Sequence, residues 1–198
     1  MQVNWRIIHA ARNSFAVLYA TCEREGIHLN PVDAPTGDIT CYSLTSISAA
    51  RYQKEIAEAD CITVVGGPHA TAAPREVAGY ADYVVIGEGE YTLPRLLFNL
   101  IRGGDGRIPG VMTGDWYQTA DTTVRLDAFP PFSEYKGYIE ISRGCPFSCG
   151  YCQTPQIFGH CMRHRSVDEI ARYTQWHSQS RFVTPNALAY GSDGVHPR

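Results

Sequence analysis

The chain has 198 residues, with 17 Lys and Arg against 20 Asp and Glu, a net charge of -3, and 44% of its residues hydrophobic. That length holds one full domain and part of another, the apolar content excludes a disordered tail, and the missing basic excess excludes the global charge that drives non-specific nucleic-acid binding. No apolar run of about 18 residues spans a bilayer and Met1 to Arg6 carry no secretory pattern, so a cytoplasmic protein without membrane or nucleic-acid partners is expected.

Residues 6 to about 100 alternate short β-type runs with helical stretches, the pattern of a parallel sheet covered by helices. Strands are predicted at Arg6–His9, Ile27–Leu29, Ile39–Ser43, Cys61–Val65 and Tyr83–Ile86, and helices at Ser14–Arg24, Ile47–Ala59 and Tyr91–Arg102. Ala72–Tyr80 reads as a short crossover in which Pro74 suits a first helical turn. Five strands make a complete doubly wound α/β sheet of the flavodoxin-like kind, expected over residues 1–102. The Gly103-Gly104-Asp105-Gly106-Arg107 stretch then breaks the pattern and Pro130-Pro131 forbids a helix interior, so residues 103–137 are an expected linker. Beyond it, a strand at Tyr138–Ser142, a helix at Ser166–Ser178 opened by the capping pair Ser166 and Glu169, and a strand at Phe182–Thr184 form one strand-helix-strand unit.

Seven cysteines stand at 22, 41, 61, 145, 149, 152 and 161. An odd number with three bunched in one loop suits metal binding better than a disulfide framework. Cys22, Cys41 and Cys61 fall in apolar elements, where cysteine serves as a small buried residue; Cys161 is either a core residue or a reserve ligand. The Cys145-Pro-Phe-Ser-Cys149-Gly-Tyr-Cys152 loop follows a strand and Arg143-Gly144. Soft thiolates at this spacing suit an iron-sulfur cluster, or zinc with His160, Cys161 or His164 as a fourth ligand. Arg143 either sets positive charge beside the loop or lies on the surface, and Gly144 and Gly150 suit tight turns with positive dihedrals. The Arg163-His164-Arg165 run reads as a solvated face.

Doubly wound sheets bind ligands at the carboxyl ends of their strands, and the residues there are small and polar. Ser43-Leu44-Thr45-Ser46 follows the third strand, Gly66-Gly67-Pro68-His69-Ala70-Thr71 the fourth and Gly87-Glu88-Gly89-Glu90 the fifth.

The cysteine loop, with Tyr151 as the aromatic before its last thiol, resembles the signature of the radical S-adenosylmethionine (SAM) enzymes. Gly66 to Thr71, then Val84 to Glu90, then Ile141 to Phe147 follow the order of the cobalamin-binding members of that family, and the whole layout is similar to theirs. The resemblance implies a B12-binding sheet followed by the first part of a partial (β/α) barrel at residues 138–198. It implies that Cys145, Cys149 and Cys152 hold a 4Fe-4S cluster whose open iron chelates SAM beside Tyr151. It places Ser43, Thr45, Gly66, Gly67, Pro68, His69, Gly87, Glu88 and Gly89 around cobalamin. The activity it implies is transfer of a methyl or related group by way of a 5'-deoxyadenosyl radical, fed by an external electron donor. None of the seven histidines has Asp two before and Gly three after, so cobalamin bound without a histidine ligand is expected. The family's Gly-Gly-Glu segment is not recognisable; Thr184-Pro185-Asn186 and Gly191-Ser192-Asp193-Gly194 occupy its region. Since one unit and a second strand follow Pro131, the chain is expected to be an incomplete copy of that barrel, inactive alone and poorly ordered in its second half. The competing reading is a cobalamin carrier or sensor whose cysteine loop is a structural metal site.

Overall fold

The computed structural model describes residues 1–176 and 178–191, so Ser192-Asp193-Gly194 and His177, inside the expected last helix, lie outside the described residues. In chain order the first part consists of β1 (Val3–Arg6), α1 (Arg12–Arg24), β2 (Asn30–Val32), β3 (Ile39–Ser43), α2 (Ser46–Ala57), β4 (Ile62–Gly66), α3 (Pro68–Ala72), α4 (Pro74–Val77), β5 (Tyr83–Val85), α5 (Gly89–Ile101), β6 (Val111–Thr113) and β7 (Trp116–Tyr117). The sheet order is β2-β1-β3-β4-β5-β6-β7, with the first five strands parallel and the last two antiparallel. Strand order reverses between β1 and β3, the switch point at which such sheets take ligands.

Side chains alternate across each strand, and both faces are covered. Cys41, Val64 and Val85 join Trp5, Phe15, Tyr19, Leu93 and Leu97 beneath α1 and α5. Their neighbours Tyr42, Val65 and Val84 join Ala49, Tyr52, Ile56 and Val77 beneath α2, α3 and α4. Each large apolar side chain buried in this way contributes about 1.5–3 kcal/mol.

Three parts of the sheet depart from the sequence expectation. The first strand is Val3–Arg6 and not Arg6–His9: buried Asn4 sits inside it, its amide donating to Thr36 O at 2.6 Å, while Ile8 leads into a helical turn at His9–Ala11. The second is Asn30–Val32 rather than Ile27–Leu29, and includes Pro31, which an edge strand tolerates. The sheet has seven strands rather than five, because Val111–Thr113 pairs with β5 and folds back through Gly114 into Trp116–Tyr117. The stretch expected to be a linker therefore carries two strands, and Val124, Leu126 and Phe132 within it are buried.

The second part has β8 (Ile139–Glu140), β9 (Ser142–Arg143), α6 (Thr154–Phe158), β10 (Arg163–His164), α7 (Val167–Thr174) and β11 (Phe182–Val183). β8 pairs in parallel with β11 across α7, the first strand-helix-strand unit of a barrel. The single strand expected at 138–142 is divided at Ile141, whose amide bonds Val183 O and whose carbonyl accepts from Arg165. β9 then pairs antiparallel with β10, clasping the ends of the cysteine loop. Ser166 caps α7 through the Glu169 amide, as expected. Phe132, Ile139 and Tyr173 pack on Ala16 of α1, so this part rests against the sheet's helical layer. No helix among the described residues is long and apolar enough to cross a membrane.

Candidate functional site

The carboxyl ends of β3, β4 and β5 open into a cavity of about 170 Å³ between the sheet and helices α1 and α5. Trp5, Val17, Leu18, Val64, Val85 and Leu93 make its apolar end, and Asn13 and Ser14 at the start of α1 add polar groups. Ser43, Gly66, Gly67 and Pro68 line it at the strand ends, with Gly87, Glu88 and Gly89 beside them. The two glycines of the pair differ in kind. Gly67 has φ +96, and a Cβ there would lie 2.8 Å from both Leu44 O and Ser43 Oγ, so the turn from β4 into α3 closes only on glycine. A Cβ on Gly66 would meet Val85 Cβ at 3.6 Å, an ordinary contact, and leave any larger side chain to grow into the cavity.

Thr45 and His69 do not line this cavity. The Thr45 hydroxyl accepts the Ser48 amide at 3.3 Å in a capping box at the start of α2. His69 turns toward Ser46 Oγ, 3.4 Å from Nδ1, and toward the Glu76 carboxylate, 3.5 Å from Nε2 without a hydrogen bond.

A buried charge cluster forms the opposite wall. Arg143, 6% exposed, places Nη1 at 2.8 Å from Glu88, Nη2 at 2.7 Å from Glu90 and 2.5 Å from Glu140, and Nε at 3.0 Å from Glu140. Arg163 holds the other side of the Glu88 carboxylate, at 2.5 and 2.9 Å, and donates to Val124 O and Phe158 O. Glu88 also accepts the Val124 amide at 2.9 Å, so three donors converge on it. Burial by itself lowers the Arg143 pKa, but Glu90 and then Glu140 outweigh it and hold the guanidinium above its ordinary value. Arg143 is thus not a surface residue. Nor is Arg163-His164-Arg165 a solvated face: Arg165 is 2% exposed and donates to Glu140 O and Phe129 O. Burial depresses the Arg165 pKa, and Glu140 opposes that.

The thiol loop hangs from this wall. Gly144 has φ +86, and a Cβ there would strike the Cys161 carbonyl, so the two limbs of the loop meet at glycine; the Cys145 amide then donates to Gly159 O at 3.1 Å. Gly150, expected to share that role, keeps a negative φ and has open space around it. Cys145 is buried, Cys149 exposed and Cys152 between, with the Cys152 amide bonded to Cys149 O at 3.0 Å. The Thr154 hydroxyl, then its backbone, lower the Cys152 thiol pKa, favouring the thiolate that binds metals. Tyr151 is 92% exposed, and Cys161 is exposed. Cys22 and Cys41 have thiols pushed far up by burial, consistent with packing roles. Among the described residues no three His, Cys, Asp or Glu side chains are already gathered at metal-holding distance. The donor set fits a soft metal group all the same: three thiols share one clasped loop, and its tip, Ser148 to Tyr151, is exposed.

Residues 39–97 match the B12 binding domain family. That span runs from the start of β3 into α5 and includes Ser43, Gly66, Gly67, Gly87, Glu88 and Glu90. The chain is 29% identical over 169 residues to the hopanoid C-3 methylase of Methylococcus capsulatus, a match covering 72% of this chain and 33% of that protein. It is 33% identical over 120 residues to an uncharacterized methyltransferase of Synechocystis, covering 56% and 21%. The bacteriochlorophyllide d C-12(1)-methyltransferase of Chlorobaculum tepidum is 24% identical, over 82% of this chain and 40% of its own. A solved structure of the radical S-adenosylmethionine methyltransferase TsrM from Kitasatospora setae, with cobalamin and a 4Fe-4S cluster bound, superposes with a TM-score of 0.65 at 17% identity, over 89% of this chain and 46% of that one. The chain spans less than half the length of each of these proteins, and the TsrM likeness extends the shared fold beyond the B12 binding domain into the thiol-loop half.

Sequence reasoning missed Asn13, Ser14, Glu140, Arg163 and the α6 pair Ile157 and Phe158, all of which line or brace the cavity wall. No local pattern announces them, since each reaches the cavity through pairing or packing with distant residues. Glu88 was singled out as a strand-end residue, but its ion partners are 55 and 75 positions away.

Proposed function

We propose that the chain is part of a cobalamin-dependent radical SAM methyltransferase, in which the sheet binds cobalamin and Cys145, Cys149 and Cys152 hold a 4Fe-4S cluster that takes SAM. One observation carries the reading: the cavity at the strand ends is walled by Glu140 and Arg143 on one side of the thiol loop and by Ile157 and Phe158 on the other, so the two sites adjoin. When bound, these groups would supply a carbon-centred radical and a transferable methyl group. The protein's part is placement. Trp5, Val17, Leu18 and Leu93 exclude water from the apolar end of the cavity, while Ser43, Asn13 and Ser14 offer hydrogen bonds to an amide-rich ligand. Gly66 leaves room, and Gly67 and Pro68 fix the rim. Tyr151, at the exposed tip, stands where it can meet a group held by Cys149 and Cys152. Residues 1–102 make the cobalamin-binding unit, with β6 and β7 as its edge, and the radical SAM part begins near residue 138. The methyl acceptor is an unactivated carbon, and the cluster draws on an external electron donor.

Anaerobic reconstitution with iron and sulfide, followed by iron counting and visible spectra with and without cobalamin, tests this. Iron bound in the chain and lost in the Cys145, Cys149 and Cys152 triple Ala variant supports the reading. Zinc in place of iron, with cobalamin still bound, turns the assignment to a carrier or sensor module; iron retained by the triple variant refutes the thiol loop as its site.

A further inference from the structure

The cavity and the thiol loop are fastened to the same carboxylate. Arg143 stands two residues before Cys145 and bonds Glu88, Glu90 and Glu140 through every guanidinium nitrogen. Its guanidinium carbon also lies 5.3 Å over the ring of Phe158, on the helix that follows the loop. Phe158 O in turn accepts from Arg163, at 2.7 Å, and Arg163 is gripped by Glu88. Both limbs of the loop are therefore held by the Gly87-Glu88-Gly89-Glu90 turn that opens α5 and borders the cavity.

We propose that Arg143 is a positioning residue that couples the two sites: cobalamin bearing on the cavity wall stabilises the network that already ties Arg143 to Glu88, Glu90 and Glu140 and thereby restrains residues 144–158. The inference rests on the cobalamin reading above. A desolvated guanidinium must keep its partners, so opening the loop at Arg143 costs the network as a whole. A ligand touching Glu90, Glu140, Arg143 and Phe158 favours the closed network over the opened one, and linkage makes the effect mutual, so a group that orders the thiol loop tightens the cavity in return. Neither thiol chemistry nor turnover is needed for this.

Amide hydrogen exchange on the full chain before iron is added, with and without cobalamin, tests it. Exchange across residues 144–158 slows about fivefold or more when cobalamin binds. In Arg143→Lys, which keeps the charge but loses the planar fork, this slowing disappears when cobalamin is added at a concentration that saturates the variant. A purely structural arginine would change loop exchange equally in the presence and absence of cobalamin. Should circular dichroism show Arg143→Lys unfolded, Glu90→Gln, which weakens the tie between Arg143 and the turn that opens α5, is read in its place at saturating cobalamin, with a reduced slowing expected. Cobalamin binding with no slowing in the unmodified chain, or equal slowing in the variant, overturns the inference alone. Failure of cobalamin to bind the unmodified chain overturns the cobalamin reading and this inference with it.

Discussion

Three carboxylates and two guanidiniums cluster at Glu88, Glu90 and Arg143, which are buried, and Glu140 and Arg163, which are half-buried, and their count sets which substitution costs more. Arg143→Met leaves three carboxylates facing one cation, a loss of about 3–5 kcal/mol. Glu88→Gln removes one of three negative charges and leaves two of each sign, so the cost is nearer about 2 kcal/mol, the worth of hydrogen bonds to charged groups. Chemical denaturation of both variants gives the order, and an Arg143 variant more stable than the Glu88 variant contradicts this account. The glycine pair offers a second contrast. Gly67→Ala strains a left-handed residue against Leu44 O and costs about 1 kcal/mol or more of stability, whereas Gly66→Leu fills the cavity and lowers cobalamin affinity about tenfold with the fold intact. Paired melting and equilibrium-dialysis measurements distinguish them. The glycines and Glu88 were legible in the sequence because strand ends in a parallel sheet are where ligands bind. Arg143 and Arg163 were not, since a charged residue reads as exposed until its partner is known, and here the partners lie in another part of the chain.

At the level of elements, what the sequence disclosed follows how strongly each segment is buried. β3 was placed to the residue, because all five of its residues are buried and apolar or small. β1 was misplaced because Ile7 and Ile8 are apolar but lie in the exit from the strand, while the strand itself contains a buried asparagine. β6 and β7, three and two residues long, give no periodicity to read. Thr45 was expected at the ligand and is found capping α2. Thr45→Ala should therefore lower stability by about 1 kcal/mol while cobalamin affinity stays unchanged, which thermal unfolding and binding titrations check together. A matching loss of affinity would return Thr45 to the cavity.

Over the whole molecule, the thiol-loop half is joined to the sheet by the charge cluster and by Phe132, Ile139 and Tyr173 against Ala16. Limited proteolysis should leave a fragment that extends past Tyr117, since β6 and β7 belong to the sheet and Val124 is fully buried; cleavage settling at Arg102 to Arg107 would contradict that packing. Alkaline pH tests the interior. Burial, then Glu134, raises the Tyr19 pKa, and burial, then Glu55, raises that of Tyr42. Tyrosine in the unfolded chain ionises near about pH 10, so these groups contribute fully to stability below that and lose their contribution as pH rises from there through the folded values. Exposed rings such as Tyr151 ionise first, so it is the last part of the tyrosinate absorbance rise that should coincide with loss of helical dichroism; ionisation of both buried rings in the folded chain would contradict their burial.

The hairpin of β6 and β7 has a bearing on how copies of the chain meet. Without it, β5 would be a bare border offering its backbone to any strand that came by, and a fully parallel sheet ending there would be prone to growth from one molecule into the next. The antiparallel pair closes that border with a strand of two residues, too short to template another, and at the opposite border Pro31 removes a backbone donor from β2. Both borders of the sheet are therefore poor templates for a strand from another copy.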